Sequence, residues 1–230
     1  MPYYYYGDSL SLWLALAALL ISLAASWNVK ATYSRYNKVY NRRGLTGAQG
    51  ARQILNDNGL AHIRIERVSG SLTDHFDPSA GVVRLSDSTY DSTSVGAIGV
   101  AAHECGHAVQ HDVGYFPIRI RSAVIPLTRI GSSLAIPLAV LGVIFSFPML
   151  VDIGILLFSA VVFFQLVTLP VEFNASARAM RTLRDHHLLE GDELSGARKV
   201  LTAAALTYLA ALLTALVNLL RLLALRRRSD

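Results

Sequence analysis

His103-Glu104-Cys105-Gly106-His107 sets two histidines four residues apart, with a glutamate directly after the first. On a helix, a rotation of about 100° per residue returns both imidazoles to one face, about 6 Å apart along the axis, where they can bind one metal ion. A catalytic zinc on such a pair keeps one position open to water, lowers the pKa of that water to around 7 and polarises a carbonyl. Glu104 flanks the same face and has the reach to take the proton of the water and hand it to a leaving amine. A buried, hydrogen-bonded histidine pair or a purely structural zinc would use the same two rings. Neither explains a glutamate between them.

The third ligand must come from elsewhere. His111 is eight residues beyond His103, about 12 Å along the axis of a continuous helix, too far to share the ion. A supporting or merely amphipathic role suits it better. Asp112, Asp185, His186 and His187 sit in polar connections, where a solvated role is the stronger reading. Glu172 stands out because it directly follows an apolar stretch, and an acid at that depth is costly without a partner. It is read as the third ligand, with an interfacial carboxylate paired to Arg178 or Arg119 as the alternative. Tyr90, Tyr115, His186 and His187 are all candidates to steady a developing oxyanion.

The elements that position these residues lie in an unusually apolar chain. Of 230 residues, 53% are hydrophobic and 16% charged, and the mean hydropathy is +0.40. That excess is gathered into blocks, which excludes a simple soluble globule. The single cysteine, Cys105, excludes an internal disulfide and a cysteine-cluster metal site. No basic stripe interleaved with aromatics appears, so no nucleic-acid partner is expected. Four stretches approach the length of a spanning helix: Leu10 to Trp27, Ile130 to Phe147, Ile153 to Pro170 and Val200 to Leu220. Tyr3 to Tyr6 and Trp27 are expected to form interfacial belts around the first. The second and third should make a hairpin turning at Pro148 to Asp152. Thr207, Thr214, Asn218 and Arg221 share one face of the fourth, which should meet protein or water rather than lipid.

Basic residues cluster after the first span and between the hairpin and the fourth, 17 of the 21 lying within residues 28–129 and 171–199. The positive-inside tendency then sets the amino terminus outside and both connecting segments in the cytoplasm. A fourth crossing would carry Arg221 and Arg226 to Arg228 outside, so that segment is either re-entrant or drawn across by the upstream signals. The expected architecture is mainly α: a polytopic membrane protein of about four transmembrane helices with a small cytoplasmic α+β domain. Its parts are an anchor (1–28), a domain carrying the histidine helix (29–129), a membrane hairpin (130–170), a helix with the third ligand and a connection (171–199), and a last membrane helix with a basic tail (200–230). Within the domain, Gly47 to Asn58 reads as a helix with Ala51, Ile54 and Leu55 inward. Arg64 to Ser69 and Val82 to Leu85 read as strands, and a buried helix begins at Ser94.

The runs Asp74-His75-Phe76-Asp77-Pro78, Val82-Val83-Arg84-Leu85-Ser86 and Ala97-Ile98-Gly99-Val100-Ala101-Ala102-His103-Glu104-Cys105-Gly106-His107-Ala108-Val109-Gln110 resemble the bacterial YugP-like neutral zinc metallopeptidases. The resemblance extends over nearly the whole chain. More distantly the arrangement is similar to HtpX-type membrane proteases, gluzincins in which a membrane hairpin and a glutamate ligand follow the helix. It implies a zinc endopeptidase of the bacterial plasma membrane, with one zinc on His103, His107 and Glu172 and Glu104 as base. The HtpX-type pattern has an aspartate four residues after the glutamate ligand, which orients a zinc histidine; here Ser176 stands there and adds no charge. His111, Asn174 and Asp112 are further candidates for that supporting role.

Independently of family, Val82, Val83, Arg84 and Leu85 could offer a sheet edge to an extended peptide. The partners to expect are protein or peptide substrates, membrane proteins among them, and membrane lipids, with a membrane-protein partner or a second copy of the chain left open. The competing class is a non-catalytic, zinc-stabilised scaffold or adaptor, which would have no use for Glu104. A metal transporter is disfavoured because the histidines lie outside the apolar blocks.

Overall fold

The computed structural model describes the backbone of residues 3–226 and the side chains of residues 12–226. The expected belt Tyr3 to Tyr6 and the tail residues Arg227 and Arg228 lie outside the side chains described. In chain order the elements are α1 (Tyr3–Tyr36), α2 (Gly47–Asp57), β1 (Arg64–Val68), β2 (His75–Asp77), β3 (Val82–Ser86), α3 (Asp87–Tyr90), α4 (Val95–Asp112), α5 (Phe116–Ile144), α6 (Pro148–Asp185) and α7 (Gly191–Arg226). Helices α1, α5, α6 and α7 are each long and apolar enough to cross a membrane.

All four outrun the apolar blocks. Hydropathy marks where a helix can meet lipid, not where its hydrogen bonding stops, so α5 already begins at Phe116 and α6 runs unbroken through Pro170 to Asp185. The hairpin turn is also earlier and tighter than residues 148–152. Pro148 opens α6, where its missing N–H costs nothing, and residues 145–147 make the turn. There Ser146 takes a φ of 51° and the Phe147 N–H donates to the Gly142 carbonyl at 2.7 Å.

The chain forms two compact units. One holds α1 up to Ser26, Arg119–Pro170 and α7 from Thr207. In it α5 and α6 approach closely at glycines: a Cβ on Gly154 would lie 2.6 Å from the Ala135 carbonyl oxygen. Ala135, Ala139, Val151 and Phe158 fill the seam, and Leu212, Ala215 and Leu222 of α7 pack on it. Part of the polar stripe on α7 is accounted for, since Thr214 shares a 2.8 Å hydrogen bond with Ser22 of α1. The re-entrant reading of the fourth segment gives way: α7 is one continuous helix, and Arg226 at its end donates to Asp152 beside the α5–α6 turn, at 2.6 Å.

The other unit comprises Trp27–Ile118 and Val171–Leu206. Helix α2 is closed by a capping box, the Thr46 hydroxyl accepting from the Gln49 N–H and the Gln49 side chain accepting from the Thr46 N–H. Its Ala51, Ile54 and Leu55 join Ile98, Ala101, Ala102 and Cys105 of α4 and Ala179 and Leu183 of α6 in one core. The three strands run in the order β1-β3-β2, with β1 parallel and β2 antiparallel to β3. This corrects the substrate-strand expectation for Val82, Val83, Arg84 and Leu85. β3 is the central strand: β1 pairs with all of it and β2 with Val82, Val83 and Arg84, so those three have no open edge to give a peptide, and Leu85 is paired on the β1 side alone. The outer strand β2 has only three residues, too few for an alternation to show in the sequence.

Candidate metal centre

Helix α4 starts where Ser94 caps it, its hydroxyl accepting from the Ala97 N–H at 3.0 Å. It ends at Asp112, and the chain turns away at Gly114, whose φ of 62° suits glycine, with the Tyr115 N–H closing back on the Gln110 carbonyl at 2.9 Å. Between these caps small residues let neighbouring helices approach. A Cβ on Gly99 would sit 3.3 Å from the Ala197 Cβ, and one on Gly106 would sit 2.7 Å from the Ala175 carbonyl oxygen. The second approach matters most, because Ala175 lies one helical turn after Glu172 on the buried face of α6.

That contact brings three donors together. Glu172 Oε2 is 3.2 Å from His103 Nε2 and 3.6 Å from His107 Nε2, and one ligand atom from each residue lies within 4.8 Å of the others. The imidazole rings stand nearly perpendicular with centroids 4.7 Å apart. Ligands roughly 2.0–2.1 Å from a tetrahedral zinc stand about 3.3 Å from one another, close to both separations. Two imidazoles and one carboxylate are also the donor set of a zinc site with a fourth position open. The residues present therefore fit the ion.

The hydrogen bonds behind the rings orient them. Gln110 is fully buried, and its Nε2 donates to the Val171 carbonyl at 2.8 Å and to Asn174 Oδ1 at 3.0 Å. A carbonyl only accepts, so the amide oxygen of Gln110 must face His107 Nδ1, 3.0 Å away. His107 then carries its proton on Nδ1 and directs the Nε2 lone pair at the cluster. Ser176 Oγ lies 3.2 Å from His103 Nδ1 and holds the other ring. Burial works against a charge on His107, but the Glu172 and Glu104 carboxylates outweigh it and hold the imidazole above its ordinary pKa. The pocket thus attracts a cation.

The remaining candidates fall elsewhere. His111 is corrected out of the supporting set: it stays on the same unbroken helix and packs edge-on against Phe76, with ring centroids 5.9 Å apart. Asn174 acts on His107 only through Gln110, and it also accepts from Arg178 Nε at 2.8 Å. His186 pairs with Asp57 at 2.9 Å, His187 with Glu190 at 2.7 Å and Asp185 with Arg184 at 2.9 Å. Burial, reinforced by the charge of Glu104, pushes the Cys105 thiol up, which leaves it a core residue rather than a ligand. Gln110 went unnoticed in the sequence, although it lies seven residues from His103 and three from His107 and so shares their face.

Replacing Gln110 with Met keeps the volume and removes the oriented acceptor. Zinc affinity should fall about 10–100-fold, read by competition with a chelating dye, while helix content by circular dichroism is unchanged. Wild-type affinity would show that the Gln110 bond does not set the ring.

A family described as "Putative neutral zinc metallopeptidase" matches residues 11–227. The curated protein named "Putative membrane protease YugP", from Bacillus subtilis (strain 168), is 46% identical over 212 residues, which is 92% of this chain and 94% of that one. No solved structure matches.

Proposed function

The chain belongs to the putative neutral zinc metallopeptidase family, and from that premise we propose that it is a membrane-bound zinc endopeptidase of the gluzincin type, with His103, His107 and Glu172 holding one zinc and Glu104 as general base. The observation that carries this reading is Glu104 itself. It follows the first histidine on α4, its charge acts on His107, and it is only 8% exposed. Among the described residues it makes no hydrogen bond. A carboxylate beside the two histidines with no structural partner has no role in holding the fold, and a scaffold gains nothing from it. A base needs that freedom.

When bound, zinc supplies Lewis acidity toward a peptide carbonyl and lowers the pKa of a water molecule. Glu104 accepts a proton from the water as its oxygen bonds to the carbonyl carbon, then returns it to the departing nitrogen as the C–N bond breaks. His103 and His107 keep their Nε2 lone pairs on the site because Ser176 and Gln110 hold the opposite ring nitrogens. Glu172 adds the negative charge that Ser176 does not.

We place the site at the cytoplasmic face of a bacterial plasma membrane, with proteins or peptides at that surface as substrates. The support is charge distribution and crossing number. α5 and α6 return the chain to the side it left, and the basic residues after α1 mark that side as internal. Inside-out membrane vesicles should cleave an added unfolded protein, stop with 1,10-phenanthroline and resume on adding zinc. Right-side-out vesicles should leave it intact. Cleavage that resists the chelator would count against the metallopeptidase, and cleavage only by right-side-out vesicles would reverse the sidedness.

A further inference from the structure

Away from the histidine cluster, a groove of about 370 Å³ lies between the end of α1 and the early turns of α7, lined by Thr32, Arg35 and Tyr36 on one side and Arg198, Lys199 and Thr202 on the other. Three cations line it and no carboxylate does. Among the described residues, none of the three makes an ion pair. On the sheet side of the same unit, by contrast, Arg67 is matched with Asp87 and Asp91, and Arg84 with Asp77 and Glu66.

Like charges on facing helices repel unless something holds them. Here Tyr36 does, with the Arg35 guanidinium 5.7 Å and the Lys199 ammonium 6.0 Å from its ring centroid. The ring is fixed in turn. A Cβ on Gly196 would fall 2.8 Å from its Cδ1 and Cε1, and one on Gly96 would fall 3.2 Å from the Tyr36 carbonyl carbon. Tyr33, one turn earlier, is buried and donates from its hydroxyl to the Ser88 carbonyl at 3.1 Å. A rigid aromatic floor thus holds positive charge around a cavity that also carries the hydroxyls of Thr32 and Thr202. The groove extends along α7 to Ala203 and Leu206, where the apolar stretch of that helix runs on, and along α1 to Asn28, directly after the first apolar block. Its polar end therefore suits an anion with several acceptor oxygens, and its other end suits a hydrocarbon chain.

We propose that this groove binds a phosphate group, as carried by an anionic phospholipid headgroup or by a soluble phosphate. The apolar continuation at Ala203 and Leu206 favours the lipid. The site is independent of zinc and of catalysis.

The test uses full-length protein in detergent, with retained phosphatidylglycerol or phosphatidylcholine counted by native mass spectrometry. Wild type should hold phosphatidylglycerol in preference to phosphatidylcholine. The variant Arg35→Gln/Arg198→Gln/Lys199→Gln should reduce retention at least about tenfold, and Lys199→Gln alone several-fold. The control Lys30→Gln/Lys38→Gln/Arg181→Gln removes equal charge and should stay within about twofold. Zinc content and circular dichroism of the groove variants should match wild type. Displacement of the lipid by millimolar inorganic phosphate would make the soluble anion the occupant, and resistance to it would make the headgroup the occupant; either supports a phosphate site. Equal losses in groove and control variants, or lipid retention within twofold of wild type in both groove variants, would overturn it.

Discussion

Glu104→Gln is expected to keep its zinc and lose turnover by about 10²–10⁴-fold. The amide has nearly the shape of the carboxylate but cannot accept a proton at neutral pH, so the step that fails is water activation. Metal binding should survive because Glu104 is not one of the three converging donors. The fold should survive too, since among the described residues the side chain makes no hydrogen bond that the change would break. Steady-state cleavage of an unfolded protein, measured beside zinc content in one preparation, separates the two effects. Cleavage at the wild-type rate would remove Glu104 from the mechanism. Loss of zinc with loss of cleavage would recast it as a ligand.

Gly106→Val should disable the site without touching a ligand. Even a Cβ at this position would lie 2.7 Å from the Ala175 oxygen and 3.3 Å from its carbonyl carbon and Cα. These are backbone atoms of a buried helix, so no side chain can swing away. α4 and α6 must separate, at about 1–3 kcal/mol or more for overpacking of this kind. Because His103 and His107 ride on one helix and Glu172 on the other, separation opens the 3.2 and 3.6 Å distances directly. The expected outcome is a fall in Tm of several degrees and zinc affinity lowered at least about tenfold. A variant with both values at wild type would mean that the helix contact does not set the ligand geometry.

How far these features were readable in the sequence depended on their range. Helix α2 announced itself through the inward trio Ala51, Ile54 and Leu55, a local signal, whereas its Thr46–Gln49 capping box became visible only in the structure. α4 did the same through Ser94 and its small apolar run. Glu172 was reached by a topological argument, an acid next to an apolar block with an even number of crossings between it and the histidines. Gln110 was harder to see, because a glutamine matters only once its two partners are known, and Val171 comes from 61 residues away. The same holds for β3. Its apolar pattern identified a strand, but its central place depends on β2, whose three residues carry no periodicity. Helix ends were misread wherever composition changed while the backbone continued, as at Phe116 and Pro170. The close approach at Gly106 had no sequence signal beyond the glycine itself.

The central claim is that three residues from two distant segments hold one zinc. Its most direct test is the metal content of purified full-length protein, by inductively coupled plasma mass spectrometry, beside Glu172→Ala and His111→Ala. The account predicts about one zinc per chain in wild type and in His111→Ala, and little in Glu172→Ala. A full equivalent of zinc in Glu172→Ala would contradict it.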